Sequence, residues 1–160
     1  MKKLILYSCL MGMFAVVFSQ EEKEYTDEEL TKYAGVMVWA EMEKDRMTDV
    51  YNDWINKNEN LDAPKFLKIK EAEGDTIALQ ELEATDIEKA AYNKIITDYD
   101  SMTSAFKEVY VGKIKEDIGA GLYNSLKTDF KDNADLKSRY DEIVAALKKE
   151  YASKEEKSEE

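Results

Sequence analysis

Histidine is absent from the 160 residues, and cysteine occurs once, at Cys9. The first absence removes the commonest general base, the usual zinc ligand and the proximal haem ligand. The second leaves no disulfide within the chain. It also leaves no set of thiolates for an iron–sulfur cluster or covalent haem. Proline occurs once, at Pro64, and none of the six glycines sits in a phosphate-cradling loop. No stretch alternates apolar and polar residues at period two, so no β-strand is expected. From these absences we expect no catalytic residues, no cofactor and no metal.

Carboxylates are what the chain has in excess: 35 Asp and Glu against 23 Lys and Arg, a net charge of −12. A glycosidase needs only two acids, but any acidic chain offers such pairs, so abundance alone selects no enzyme. The charge argues against nucleic acid and against anionic lipid surfaces, both of which would repel it.

Residues 1–19 read as a signal peptide. Lys2 and Lys3 give the positive start, Leu4 to Phe18 the apolar segment, and Val17-Phe18-Ser19 a cleavage site before Gln20. The apolar run is short for a bilayer span, so no stable membrane insertion is expected after its removal. Lipidation at Cys9 is the rival reading. Tyr7 is too bulky for a good lipobox and few apolar residues precede the cysteine, which counts against it. The expected location is periplasmic or extracellular. Cleavage would also remove Cys9, Lys2 and Lys3, making the mature chain more acidic still.

The remainder reads as helices. Tyr92, Ile95, Tyr99, Met102, Phe106 and Val109 recur at spacings of three and four, a single stripe on one helix face. Ile87, Ala91, Ile96 and Ile114 widen it. Thr85 with Glu88 forms a capping box at its start, and Gly119 and Gly121 punctuate its end near Asp117. Thr, Asp and Ser crowd positions 97–104, which lowers helix propensity and leaves open a break near Asp100.

A weaker echo precedes it. Thr26, Asp27, Glu29, Tyr33, Val50, Tyr51 and Ile55 recur 59 positions later as Thr85, Asp86, Glu88, Tyr92, Val109, Tyr110 and Ile114. The first long helix runs from about Asp27 to Lys57. Its seam is Leu30, Tyr33, Met37, Ala40, Lys44, Met47, Tyr51 and Trp54, with Lys44 the one polar member. A short helix follows each long one. Ala63 to Glu71 points Phe66, Leu67 and Ile69 inward, with Pro64 in its first turn. Ala120 to Phe130 does the same with Leu122, Tyr123, Leu126 and Phe130. A last helix, about 133–152, carries Leu136, Tyr140, Ile143, Val144, Leu147 and Tyr151.

The expected fold is all-α: an antiparallel pair of long helices with short covering helices, derived from an internal duplication. One domain, 20–152, contains half one (about 26–71), a connector (72–84) with at most a weak helical turn, half two (about 85–131) and the final helix. A charged tail, 153–160, follows.

This arrangement resembles a family of secreted bacterial helical domains of unknown function. The family's Ser/Thr-Asp-x-Glu-Leu-x-x-Phe/Tyr-Ala start is similar to Thr26 through Ala34. Its short element, Leu-x4-Phe/Tyr-x2-Ile/Leu after a glycine, is similar to Leu61 to Ile69 and to Ile118 to Leu126. Asn60 replaces the glycine in the first copy and Ile118 the leucine in the second. Asn133-Ala134-Asp135-Leu136 is similar to its acidic helix start. The resemblance implies an all-helical fold and export, and no catalytic mechanism.

Two clusters remain. Asp129, Asp132, Asn133 and Asp135 invite comparison with a calcium loop, but Lys131 and Ala134 stand where a ligand and the turn glycine belong, so a helix cap is expected. Trp39, Trp54 and Tyr110 lie beside or at the ends of the seams. They are candidate partner-binding residues, with core packing as the competing use. The function expected is therefore non-catalytic protein binding, with another envelope protein or a second copy as partner. A carboxylate enzyme acting on envelope polysaccharide and a small-ligand carrier are the alternatives.

Overall fold

Thr26 opens the first long helix. Its Oγ1 accepts the Glu29 N–H at 3.2 Å, and Glu29 Oε2 accepts the Thr26 N–H at 2.9 Å. Thr85 and Glu88 repeat this reciprocal pair at 3.2 and 2.7 Å. Each box satisfies two backbone donors that a helix start leaves free. Asp62 caps the next start by accepting from the Lys65 N–H at 2.7 Å, with Pro64 in the first turn.

A computed structural model of the chain describes residues 23–156. The proposed leader (1–19) and the last four residues lie outside them. The described residues are all helical or connecting, with no strand among them: α1 (Asp27–Asn56), α2 (Ala63–Glu71), α3 (Thr76–Glu81), α4 (Asp86–Lys113), α5 (Ala120–Asp129) and α6 (Ala134–Glu156). None of these helices is long and apolar enough to cross a membrane.

α4 does not break near Asp100. Ser101 Oγ turns back onto the Thr97 carbonyl at 2.8 Å, which keeps its polar group inside the helical pattern. The irregularity comes later. Residues Ile114–Ile118 form a π turn, closed by the Gly119 N–H on the Ile114 carbonyl at 2.8 Å. Gly119 then reverses the chain at φ 85°, a backbone that a side chain would strain.

α1 and α4 lie side by side with opposite chain sense. Met37 meets Tyr110, Trp39 meets Phe106, and Tyr51 meets Tyr99, so numbers rise along one helix as they fall along the other. α6 lies along the first half of α1. Arg139 bonds the Tyr25 carbonyl (3.0 Å) and Asp27 (2.5 Å), and Lys148 reaches Glu41 at 2.6 Å. α2 and α3 cover the far end.

Two hydrophobic clusters result. One joins Tyr25, Leu30, Tyr33, Val36, Ile118, Leu126 and Leu136. The other joins Leu61, Phe66, Ile69, Ala84, Tyr92 and Ile95. Several expectations need correction. The connector contains a real helix, α3, because Asp75 caps it through the Ile77 and Ala78 N–H groups. α6 runs on to Glu156, past the expected end at 152. Leu67, Ile87 and Val109 are exposed (57, 65 and 49%) although their spacing placed them in core stripes. The spacing identifies an apolar face, and among the described residues no further helix covers that face at these positions.

Candidate functional site: the open groove between α1 and α4

The described residues leave the side of the α1–α4 pair away from α6 open. On α1 it presents Trp39, Glu43, Arg46, Val50, Asp53 and Lys57 at spacings of three and four, with Trp54 beside them. On α4 it presents Ile87, Ala91, Lys94, Asp98, Met102, Ala105 and Val109. Two hollows lie in this trough. The larger, about 810 Å³, runs from Val50 and Asp98 to Asn60 and Ile87. The smaller, about 160 Å³, lies beside Trp39 and Phe106.

The large hollow has an apolar floor of Trp54, Ala91 and Ile95 between two charged rims. On α1 the Lys57 ammonium holds Asp53 at 2.6 Å, and on α4 the Lys94 ammonium holds Asp98 at 2.6 Å. These pairs span four residues on exposed helix faces and so contribute little to stability. The arrangement offers contact area and balanced charge. It offers no nucleophile and no base set against one.

The three candidate residues do not converge. Trp54 lines the large hollow and packs on the Phe66 cluster. Trp39 stands fifteen residues earlier, about 22 Å along the helix. It stacks on Phe106 at 5.8 Å with Lys113 Nζ 5.0 Å over its ring. Tyr110 also stacks with Phe106, at 5.7 Å. Its hydroxyl lies 3.6 Å from Met37 Sδ and 3.4 Å from the Tyr123 hydroxyl. Burial, then the Tyr123 hydroxyl, holds its phenol well above the usual tyrosine range. Tyr110 is thus a packing residue of the Tyr33 cluster, and Trp54 is the one of the three at the large hollow. Ile87, at its rim, belongs by its spacing to the apolar stripe of α4. Its helical spacing signalled an apolar face but not a missing neighbour.

The other polar features are structural. Tyr25 Oη donates to Asp129 at 2.5 Å, and Tyr92 Oη to Glu73 at 2.9 Å. Burial first, and these carboxylates second, push both phenols up to about 12. Tyr140 is pushed up to about 12 by burial and then by Tyr33. Asn133 Oδ1 accepts the Leu136 N–H at 2.8 Å, which caps α6. Among the described residues no polar or charged residue is buried, and no three Asp, Glu, His or Cys converge as a metal site would need.

Comparison with protein-family models, curated proteins and solved structures finds no match for this chain.

Proposed function

We propose that this is an exported, non-catalytic helical protein that binds another protein through the groove between α1 and α4 beside Trp54. The observation that carries the reading is the groove itself: an apolar floor of Trp54, Ala91 and Ile95, flanked by Ile87 at 65% exposure, on the face that no other helix among the described residues covers. A trough between two helices suits a third helix, which lays its apolar stripe along the floor. Export rests on the leader at residues 1–19, and a location in the envelope or outside the cell follows from it. The two capping boxes, at Thr26 and Thr85, support descent of the two long helices from one duplicated unit.

The carboxylate-enzyme alternative requires one acid held protonated near neutrality beside one that is ionised. Hydrogen bonds draw Glu28, Glu43, Glu88 and Glu150 below the ordinary carboxylate range, the opposite of what the protonated acid of such a pair needs. That pattern supports the binding reading. A small-ligand carrier is the second reading, because about 810 Å³ falls within the range of small-molecule sites. A co-purified small molecule in native mass spectrometry would favour it.

The test is a photo-reactive residue placed at Ile87 or at Trp54 in the native host, with mass spectrometry of the products. A reproducible, identified protein adduct at both positions is expected. No adduct at either position would overturn the reading. N-terminal sequencing of the envelope fraction is expected to begin at Gln20, and an intact Met1 there would remove the export proposal.

A further inference from the structure

The two hydrophobic clusters have the same plan. The sequence echoes itself at 59 positions along the long helices and at 57 along the short ones. Applied to the six buried members of the Phe66 cluster, these offsets carry Ala84, Tyr92 and Ile95 back to Tyr25, Tyr33 and Val36. They carry Leu61, Phe66 and Ile69 forward to Ile118, Tyr123 and Leu126. All six counterparts belong to the Tyr33 cluster, five as buried members and Tyr123 packed against them. The contacts correspond as well. Tyr92 lies 5.1 Å from Phe66, and its counterpart Tyr33 lies 5.6 Å from Tyr123. Tyr51 lies 6.1 Å from Phe66, and its counterpart Tyr110 meets the Tyr123 hydroxyl at 3.4 Å. Leu79 of α3 corresponds to Leu136 of α6, and each packs on its own cluster.

The order of the chain makes this packing crosswise. The start of α1 is covered by α5 and α6, which belong to the second half. Among the described residues, nothing from α2 or α3 enters that cluster. The start of α4 is covered by α2 and Leu79, which belong to the first half, and nothing described from α5 or α6 enters that cluster. Because α1 and α4 run antiparallel, each short helix leaves the end of its own long helix and arrives at the start of the other. A unit of this length closes little core by itself. Without its twin, the first half would expose Leu30, Tyr33 and Val36, which are buried in the whole chain.

The correspondence breaks in two places. Leu30 and Val38 are buried on α1, whereas their counterparts Lys89 and Thr97 are not buried on α4. There α3 has six residues where α6 has 23, so a polar surface replaces the covered one. Ile87, Ala91 and Trp54, which line the large hollow, correspond to Glu28, Lys32 and Lys113. Glu28 and Lys32 form an exposed pair at 2.7 Å, and Lys113 lies over Trp39. Apolar character is kept where the halves close on each other and varies where they do not.

We infer that the chain is a fused two-fold pair: two copies of one long-helix and short-helix unit, each completing the hydrophobic core of the other. The partner that each half fits is the other half, in the manner of subunits that exchange an element. A break in the backbone at Gly74 then leaves the pair intact. The halves hold each other in this way whichever occupant the groove takes.

The test is the full chain with a protease recognition sequence inserted between Gly74 and Asp75. Gly74 has open space around it, and α3, which follows, has no buried residue. Cut to completion, the two pieces are expected to co-elute at the volume of the uncut chain and to keep its helical circular dichroism. Their melting is expected to become dependent on concentration, since folding is then also association. Pieces that separate under native conditions overturn the inference, whether they unfold or stay helical as independent units. A second measurement needs no insertion. Hydrogen exchange of the unmodified chain in urea is expected to show α1 and α4 losing protection at a common urea concentration. Loss of protection throughout α1 and α2 while α4, α5 and α6 stay protected, or the reverse, also overturns it.

Discussion

At the end of the α1–α4 pair that holds Tyr33, a third long helix lies along α1. At the end that holds Phe66, two short helices do the covering, and the opposite side stays open. The side chains are of similar kind at both ends. Tyr33 is ringed by Tyr123, Phe130 and Tyr140 at 5.5–5.7 Å, and Phe66 lies 5.1 Å from Tyr92 and 6.1 Å from Tyr51. What differs is what lies over them. α6 ties the first end together across more than a hundred residues through Arg139 and Lys148. Nothing comparable reaches Trp54, whose groove has its four charges arranged along the helices rather than between elements. The closed end is tied together by contacts between elements, and at the open end the described residues leave apolar area exposed.

The comparison is broken most severely from within. Leu126 and Phe66 are almost completely buried, one in each cluster. Leu126→Ala is expected to cost about 2–5 kcal/mol and Phe66→Ala about 3–5 kcal/mol in urea titrations. Their local consequences should differ. Hydrogen exchange in Phe66→Ala is expected to accelerate mainly at residues 61–84, because short helices open as a local unit. Exchange in Leu126→Ala is expected to accelerate along α1, α5 and α6 together. Equal spreading in both variants would erase the distinction between the ends.

Alkali sharpens the same contrast. Tyr25 and Tyr140 at the closed end and Tyr92 at the other are all pushed up to about 12, above the usual value near 10. A phenol with a raised folded value binds its proton more tightly in the native state. Its contribution to stability is therefore complete below pH 10 and is lost as pH rises from 10 through 12. Phenolate absorbance is expected to lag behind that of free tyrosine and then rise together with unfolding. Titration near 10 without unfolding would show that these hydroxyls are not held.

Smaller effects follow at the surface. Thr26→Ala and Thr85→Ala are each expected to lose about 0.5–2 kcal/mol, since both remove the same kind of cap. Arg139→Leu is expected to lose about 1 kcal/mol or less for its exposed pair with Asp27. Ile87→Lys is expected to leave melting within about 0.5 kcal/mol of wild type, because Ile87 packs against little within one copy. It should nevertheless reduce association through the groove.

Much of the helical frame was legible in the chain. Both capping boxes, the Asp62 start with Pro64, and the Asn133 cap all lie where side-chain chemistry near the backbone dictates, and such interactions depend on a few neighbouring residues only. The spacing of Tyr92 and Ile95 likewise marks buried positions. What spacing does not carry is the identity of the cover. Ile87, Val109 and Leu67 have the same periodic setting as their buried neighbours and yet face outward. α4 stays continuous through Asp100 although its local propensity is low, with Ser101 returning its hydroxyl to the Thr97 carbonyl, and the π turn at Ile114–Ile118 packs against α1, a contact that local propensity does not encode. Trp39, Trp54 and Tyr110 look alike along the chain, and the fold separates them. Phe106 stacks with two, and the third lines the large hollow.

The two tryptophans provide the most direct check, since both lie on the open face of α1 but only Trp54 lines the large hollow. Hydroxyl-radical labelling of the intact protein, free and with the protein captured by the photo-adduct, reads both side chains in one sample. Trp54 and Ile87 are expected to become protected in the complex while Trp39 and Val109 stay as reactive as in the free protein. Trp54 labelling that the partner does not change, or protection that falls equally on Trp39, would contradict a binding groove at the large hollow.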